Sequence, residues 1–419
     1  MRRLSLASGF WAMATAVAIS ATSGKAHADI NLYDKDGWGF YTRGLIAAHY
    51  QYITGDGDPS TTHGVLVAGK FNQNVSHDPR DNTLKLSRVH SGFIGTQIGF
   101  GITREINDQM RIDSLMAVSL VDISNDRRAY APKQVDFRES WAALIGPAGT
   151  FKFGRMFSIF GSASAPVVTM AYEYGVGNPC IVEGAAIACA SVGAGPIYAG
   201  FDAQFRYISP RFAGLELQAA VSDPVGGRTF RLTPKPRLDG EINFDKNFTK
   251  SMRLRLIGQA MWEEVERIFN NAQQKRSVWG VMGAAIFDVG GFGIGGGYWT
   301  GAGIGPRTIL ENDTNDFGFD STGKMRQFTG LFGNLSYEFK SRTKIAAGGG
   351  QLNVASTDAD KLPATGVDVM SQAQEYHFTV SQKVDALTFI VEFMRWKTTW
   401  YWGEKADLQF LGGGVNFNW

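Results

Sequence analysis

The chain has 419 residues, of which 51 are glycine, 12% are aromatic and 19% are charged, with a formal net charge of +2. This near-neutral balance excludes the strongly basic face that nucleic-acid binding requires. Two cysteines exclude a disulfide-built framework. Beyond the N-terminal leader, the sequence contains no apolar run of about 18 residues, the length that would predict a helical membrane span.

Residues 1–28 have the order of features found in a secretory signal peptide. A short basic start is followed by an alanine-rich apolar run and a small-residue cleavage site from Ala26 to Ala28. We therefore treat 29–419 as the mature chain. Its net charge is −1, because the leader removes three basic residues and no acidic ones.

The segment from Trp38 to Tyr52 alternates with a period of two. Phe40 and Tyr50 share an apolar face, while Arg43 and Gln51 share the other. Similar blocks recur along the chain, about 16 in all, with short turns on one side and long polar loops on the other. This arrangement is typical of a membrane barrel, which satisfies its backbone groups between strands.

The last block ends the chain on an aromatic residue. Val415, Phe417 and Trp419 share one face, and glycine and asparagine occupy the other. A terminal aromatic ring at a membrane interface explains this ending. We predict an all-β fold, a transmembrane antiparallel up-and-down β-barrel of about 16 strands in a single domain, 29–419. A soluble β-sandwich is the alternative, although it needs neither the terminal aromatic nor the one-sided loop lengths.

Tryptophans near strand ends are predicted to anchor the barrel at the membrane interfaces. These are Trp38, Trp141, Trp262, Trp279, Trp299, Trp396, Trp400, Trp402 and Trp419. The glycine-rich stretch 291–296 matches a dinucleotide-binding pattern formally. A strand follows it rather than a helix, so we interpret it as a turn and a patch of small residues.

Four segments resemble strands of the general diffusion porins of Gram-negative bacteria. They are Gly39 to Leu45, Arg88 to Gly95 with two extra residues, Phe137 to Arg155 ending in Gly-Arg, and Phe205 to Leu215. The resemblance covers essentially the whole mature chain. It implies an integral outer-membrane protein, a homotrimer with a water-filled pore for small hydrophilic solutes and ions, without catalysis or a cofactor.

The resemblance also implies a constriction loop, 157–201, that folds into the barrel and narrows the pore. In the family, basic side chains on the wall face carboxylates on this loop. The corresponding residues are Arg43, Arg88, Arg155 and Arg206 on the wall, and Glu173, Glu183 and Asp202 on the loop and its exit. The alternative for each arginine is a structural ion pair with a neighbour.

Cys180 and Cys189 lie in the same loop and are separated by eight residues. The oxidising periplasm favours a disulfide between them, with free thiols as the alternative. A metal or redox site would require more closely spaced cysteines or a neighbouring histidine, and neither is present. An acidic loop from Glu311 to Asp320 is interpreted as solvated charge, with cation-bridged contact to lipopolysaccharide and outer-membrane lipid as a second possibility.

Two other functions remain open. An outer-membrane barrel enzyme requires a nucleophile or an acid pair beside a histidine, and none of the five mature-chain histidines lies in a nucleophile motif. A substrate-specific channel requires a dedicated ladder of side chains. The absence of lysine from 157–201 argues against a phosphate channel but leaves other solutes open.

Overall fold

The computed structural model describes residues 29–57, 77–78, 83–92, 96–120, 135–171, 191–224, 233–269, 272–305, 318–361, 369–403 and 405–419. The predicted signal peptide, 1–28, lies outside the described residues. Among the residues that are described, no helix is long and apolar enough to cross a membrane.

The described chain is almost entirely β-strand, with a single helix in these ranges. The strands are β1 (Ile30–Lys35), β2 (Trp38–Gly57), β3 (His77–Asp78), β4 (Thr83–His90), β5 (Thr96–Asn107), β6 (Met110–Leu120), β7 (Val135–Gly146), β8 (Gly149–Phe157), β9 (Phe201–Ile208), β10 (Leu215–Ser222), β11 (Arg237–Thr249), β12 (Met252–Phe269), β13 (Ala272–Val289), β14 (Phe292–Ala302), β15 (Gln327–Glu338), β16 (Thr343–Ala355), β17 (Met370–Val384), β18 (Leu387–Trp400) and β19 (Lys405–Asn418). Helix α1 (Ser164–Ala171) lies between β8 and β9.

Antiparallel pairing of successive strands closes a barrel of 16 wall strands. Strand β19 pairs with β2 and completes the ring. Strands β4 and β5 are two halves of one wall strand, since both pair with β2. Leu45 of β2 lies opposite Gln97 of β5, and His49 of β2 lies opposite His90 of β4.

Strand β1 pairs with the part of β2 that lies beyond the last residues of β19. It pairs with the foot of β2, from Trp38 to Thr42, through a tight turn at Asp36 and Gly37, both of which have positive φ. Strand β19 pairs with the rest of β2, from Leu45 upward. Strands β1 and β19 therefore pair with successive parts of the same edge of β2.

The two faces of the wall differ as the alternation predicts. Phe205, Leu331 and Val391 are 61%, 60% and 58% exposed on the outer face, whereas Glu392, the residue after Val391, is 2% exposed. Successive side chains of a strand point to opposite faces, so apolar residues lie outside and polar or small residues inside. The predicted barrel fold is confirmed.

Four of the predicted anchor tryptophans face the wrong way for that role. Trp141, Trp299, Trp396 and Trp400 are 6%, 0%, 1% and 2% exposed, inside the barrel. The anchor prediction is therefore wrong for these four. Proximity to a strand end does not determine the face, which depends on odd or even position along the strand. Trp38 and Trp279 do lie exposed on the outer face.

The inserted segment between β8 and β9 turns into the barrel. Helix α1 contacts the inner face of β13 to β16, across the lumen from the strands that the segment joins. Val167 and Met170 of α1 join one apolar cluster with inward-facing side chains that include Met282 and Phe332. The same cluster continues along β17, β18 and β19 and reaches Ile53 of β2, so apolar side chains occupy the lumen next to β12–β19.

Candidate pore lining

The root of the inserted segment is pinned to the polar wall by β9. Gln204 donates from Nε2 to the carbonyl oxygen of Met156 at 3.1 Å. Arg206 donates from Nη2 to the carbonyl oxygen of Phe157 at 2.5 Å and to Oε1 of Gln204 at 2.8 Å. Since these side chains alternate with outward-facing Phe205, period two brings both of them inside the barrel.

A buried ion network lies beside this root. Arg237 of β11 donates to Asp202 at 2.6 Å, to Asp239 at 3.0 Å and to the hydroxyl of Ser158 at 3.1 Å. The side chains of Arg237 and Asp239 are 0% exposed, and that of Asp202 is 22% exposed. Asp202 also accepts a short hydrogen bond from Ser158. This network holds the first turn of the inserted segment against the wall.

Gln259 of β12 holds the next part of the segment. Its Oε1 accepts from the backbone N–H groups of Gly161 at 3.0 Å and Ala163 at 3.4 Å. Its Nε2 donates to the hydroxyl of Ser162 and to Glu241, both at 2.7 Å. One side-chain amide thus satisfies two backbone donors in the turn that precedes α1, where the segment enters the barrel.

Glycines on the inner wall allow the segment to approach closely. A Cβ on Gly293 or Gly295 would lie 2.7 Å from the end of Met170, and one on Gly350 would lie 2.3 Å from the carbonyl oxygen of Ala194. Trp299 donates from its indole nitrogen to the carbonyl oxygen of Gly195 at 2.6 Å. The predicted small-residue patch at 291–296 is therefore partly a docking surface for the inserted segment.

Charged side chains line the opposite part of the lumen. Arg43 pairs with Asp29 at 2.9 Å, and the hydroxyl of Tyr41 donates to Asp113 at 3.1 Å. Lys152 lies with its ammonium 3.3 Å from the ring centroid of Trp141. A cation over an indole face is attracted by the ring quadrupole, so this buried lysine has a partner in the wall.

The pairing continues toward the short-turn end of the barrel. Arg253 makes two hydrogen bonds to Asp245, at 2.7 and 2.5 Å. Arg211, in the turn between β9 and β10, bonds to Glu216 at 3.0 Å and lies 3.5 Å from Asp245. Among the described side chains of this wall, cations and carboxylates therefore lie beside one another.

Three of the predicted pore charges lie on the inner face. Arg43 and Arg206 face the lumen from β2 and β9, and Asp202 faces it at the exit of the segment. Arg206 and Asp202 both hold the segment root, which corresponds to the structural alternative considered for the arginines.

Arg155 does not face the lumen. It lies opposite Ser140 and Ala203, on the exposed face that it shares with Phe151 and Phe153. Buried Lys152 occupies the inner face of the same strand. The prediction of a lumen position for Arg155 is corrected: the Gly-Arg motif locates the residue along the chain, but alternation decides its face.

Other predicted residues lie where the structure describes nothing of their side chains. These are Arg88, whose backbone pairs with Gln51, and Glu173, Glu183, Cys180 and Cys189, which fall within 172–190. Sequence reasoning missed Lys152, Arg237 and Gln259. A signal is present for Lys152, a long polar residue between outward-facing Phe151 and Phe153, but Arg237 begins its strand and Gln259 lies between small residues.

Loops at the long-loop end are tied together outside the wall. Arg326 makes a buried bidentate pair with Asp360, at 2.9 and 2.6 Å. Burial raises the pKa of Asp320, but hydrogen bonds from Thr357, from Thr322 and from the backbone N–H of Lys324 outweigh this and hold the pKa below its ordinary value. The ionised carboxylate of Asp320 therefore accepts the hydrogen bonds that hold its loop together.

The fold and its lining define a class, the membrane barrel whose lumen is narrowed by an inserted segment. A family model described as Gram-negative porin matches residues 14–419. The chain belongs to this family. It is an integral outer-membrane channel for passive diffusion. Membership indicates a channel rather than an enzyme.

Solved structures with low sequence identity share the fold. The outer membrane channel DcaP of Acinetobacter baumannii has a TM-score of 0.66 and 14% identity, over 92% of this chain and 99% of that one. An anion-selective porin from Comamonas acidovorans has a TM-score of 0.57 and 10% identity, over 91% and 100%. OmpF of Salmonella typhi, in complex with daunomycin, has a TM-score of 0.54 and 11% identity, over 93% and 100%. No curated protein matches the chain.

Proposed function

We propose that the chain is a general diffusion pore for small hydrophilic solutes and ions, without catalysis. The observation that carries this proposal is the unequal filling of the lumen. Apolar side chains and α1 fill the part next to β12–β19, while charged and amide groups lie on the wall from β2 to β11. A charged wall favours water and hydrated solutes.

We propose that charge selectivity is weak. Arg43 and Arg253 are paired with Asp29 and Asp245, and Asp202 is paired with Arg237. Opposite charges at hydrogen-bond distance cancel most of each other's field, and salt screens exposed charges beyond a Debye length of about 8 Å. Arg43 and Asp202 therefore act in the pore as members of a balanced wall, whereas Arg206 is bonded, among the described residues, only to neutral groups, Gln204 and the carbonyl oxygen of Phe157, and contributes a positive charge beside them.

Single-channel recording in a planar bilayer tests both proposals. We expect large ohmic steps and a reversal potential near zero under a KCl gradient. Charge-neutral variants of Lys152 and Arg43 are expected to shift that potential toward cation preference. A large reversal potential in the wild type, or block of the current by one class of solute, contradicts weak selectivity and supports the substrate-specific alternative.

We propose a homotrimer that contacts lipopolysaccharide and outer-membrane lipid. A trimer form of OmpT of Vibrio cholerae, with a TM-score of 0.51, shares the fold at 11% identity, which supports this assembly. The outer face of the barrel also presents a broad apolar surface suited to lipid and to other subunits. Native mass spectrometry in detergent, with a monomer as the contrary result, tests the trimer.

We propose that residues 1–28 are removed on export and that Cys180 and Cys189 form a disulfide. The leader pattern and an oxidising compartment support these proposals. Intact-mass measurement of protein purified from the outer membrane tests both. A mature mass beginning at Asp29, and two further mass units gained on reduction, are expected. Thiols that react with an alkylating agent before reduction contradict the bridge.

A further inference from the structure

The outer face of β17 to β19 changes from apolar to polar within one step along the strands, close to the long loops. Phe378, Phe393 and Leu411 lie side by side in register and are 49%, 40% and 54% exposed. Two residues further toward the long loops, Arg395 and Gln409 are in register on the same face. Because side chains two apart on a strand share a face, the apolar band of the barrel ends between these two rows.

The polar side of this boundary carries a cluster of cations. Lys397 lies opposite Asp407, and Lys405 is two residues from Asp407 on the same face of β19. Arg395 makes two hydrogen bonds to Asp407, at 2.8 and 2.5 Å, whereas the ammonium of Lys397 is 3.9 Å from that carboxylate. We call these four residues the basic rim patch. Its three cations and one carboxylate leave two positive charges in excess, counted over the described side chains.

Amide side chains continue the same row onto β17 and β16. Gln374 lies opposite Lys397, and its Nε2 donates to Oε1 of Gln351 at 2.8 Å. Gln351 donates in turn to Oδ1 of Asn353 at 2.9 Å, and Gln372 donates to the same oxygen at 3.0 Å. Each amide nitrogen carries two N–H groups, and each of these bonds uses one of them. This amide row therefore has further hydrogen-bond donors to offer beside the basic rim patch.

The corresponding rim of β12 and β13 is electrically balanced. Beyond the paired tryptophans of these strands, Lys275 lies 3.8 Å from Glu264 and 4.0 Å from Glu266. Lys235, which precedes β11, bonds to Glu264 at 2.8 Å. Two cations here meet two carboxylates. Of these two described parts of the rim, the one on β18 and β19 therefore has the excess positive charge.

Three kinds of group meet at this boundary, and each suits a different part of one lipid. Lysine binds phosphate as a mobile point charge, and amides form hydrogen bonds with hydroxyl groups. The exposed apolar row suits acyl chains. Long loops of an outer-membrane barrel lie on its outer side, so the boundary lies where the headgroups of the outer leaflet begin.

We propose that the basic rim patch and the amide row bind the headgroup of a phosphorylated glycolipid of the outer leaflet. Lys397 and Lys405 hold a phosphate group, Gln374 bonds to the sugar, and the acyl chains lie along Phe393 and Leu411. Asp407 positions the Arg395 guanidinium and leaves the two lysines to face the phosphate. The proposal rests on the contact with lipopolysaccharide proposed above and assigns that contact to named residues.

Native mass spectrometry of the refolded full chain with diphosphoryl lipid A, the phosphorylated anchor of lipopolysaccharide, tests the site. We expect Lys397→Gln and Lys405→Gln each to raise the apparent Kd roughly fivefold, the factor associated with one basic residue at an anionic lipid surface. Lys397→Arg keeps the charge and should bind as the wild type does. The matched control is Lys235→Gln with Lys275→Gln, which removes two lysines from the balanced rim and should leave the Kd unchanged.

Two further probes identify what the site recognises. Dephosphorylated lipid A should bind the wild type weakly and should not distinguish it from the lysine variants. Binding of diphosphoryl lipid A should persist in EDTA, because the contact is direct and needs no divalent cation. Inorganic phosphate at millimolar concentration should not displace the lipid, because a free anion lacks the sugar and acyl contacts.

Equal binding of the two forms of lipid A overturns the proposal, as does unchanged binding in the lysine variants or equal weakening in the control pair. Loss of binding in EDTA, or displacement by inorganic phosphate, also overturns it. Both lysines face away from the lumen, so the double variant Lys397→Gln with Lys405→Gln should conduct as the wild type does. A wild type that conducts but does not bind lipid A contradicts the lipid contact and leaves the diffusion function intact. One that binds lipid A through these lysines without conducting contradicts the diffusion function alone.

Discussion

Single polar residues decide how the inserted segment enters this barrel. The segment root and the carboxylates beside it receive most of the side-chain hydrogen bonds formed by Arg206, Arg237 and Gln259. The carboxylates Asp202 and Asp239 compensate Arg237, whose side chain is fully buried. The wall is therefore scaffold and pore lining at once.

Removing one member of the buried network leaves the others unpaired. Arg237→Met is expected to lower the free energy of unfolding by about 3–5 kcal/mol, because Asp202 and Asp239 lose their cation in a buried site. Urea unfolding of the refolded protein in lipid measures this loss. Arg253→Met is the control. Its side chain is 42% exposed, so the loss should be below about 1 kcal/mol.

A smaller effect of Arg237→Met than of Arg253→Met would contradict the assignment of Arg237 as the buried pin. The double variant Arg237→Met with Asp239→Leu should recover part of the loss, since the second change removes a carboxylate left without its cation.

The loop that contains Asp320 should lose its order in acid. A lowered folded-state pKa means that the ionised carboxylate stabilises the loop above the unfolded pKa, near 4, and that this stability is lost as pH falls through the folded pKa. Hydrogen exchange at Thr322 and Lys324, corrected for intrinsic rates, should show protection at neutral pH that disappears in acid. Asp320→Asn should show the same weak protection throughout, and a wild type protected equally at both pH values would be inconsistent with this role.

At the level of elements, the helix and its returning arm require an inner wall with little side-chain volume. Strands β14 and β16 supply it, with glycine at inward positions beside Met170 and Ala194. Gly195 itself has φ of 131°, and its carbonyl oxygen accepts from Trp299. Small residues on one element and a backbone turn on the other bring the two into direct contact.

One methyl group at this contact should move the arm. In Gly350→Ala the new Cβ would meet the backbone oxygen of Ala194 at 2.3 Å, so the arm must shift toward the lumen, at a cost of about 1–3 kcal/mol. Single-channel conductance should fall or become noisy. Gly283→Ala is the matched control on β13, since nothing lies within 4 Å of its Cβ. Equal conductance in the two variants would contradict close docking of the arm.

At the scale of the whole molecule, closure depends on the pairing of both β1 and β19 with β2. The backbone of Trp419 exchanges hydrogen bonds with Gly44, at 2.9 and 3.1 Å, and β1 continues the pairing below that point. The indole of Trp419 covers Gly44 so closely that a Cβ there would lie 2.2 Å from the ring. Backbone groups along the seam are thereby satisfied where water is scarce.

Deleting residues 29–35 should weaken the barrel without abolishing it. The ladder between β19 and β2 remains, so the channel should still form, but the foot of β2 loses its partner. The midpoint of heat-induced unfolding in gels should therefore fall while single-channel conductance is retained. Asp29→Asn is the control, because it removes only the ion pair with Arg43. A deletion variant with an unchanged midpoint would show that β1 is dispensable for closure.

The amino-acid sequence by itself determined the barrel, its approximate strand number and the place of the inserted segment. These follow from local alternation, from turn residues and from a loop-length asymmetry that repeats along the chain. The tertiary structure decided which polar residues meet. Arg155 and Trp299 were misplaced because a one-residue change in position reverses the face. The contacts of Asn334 with Val167 and His377 join residues far apart in sequence, and only closure of the barrel brings them together.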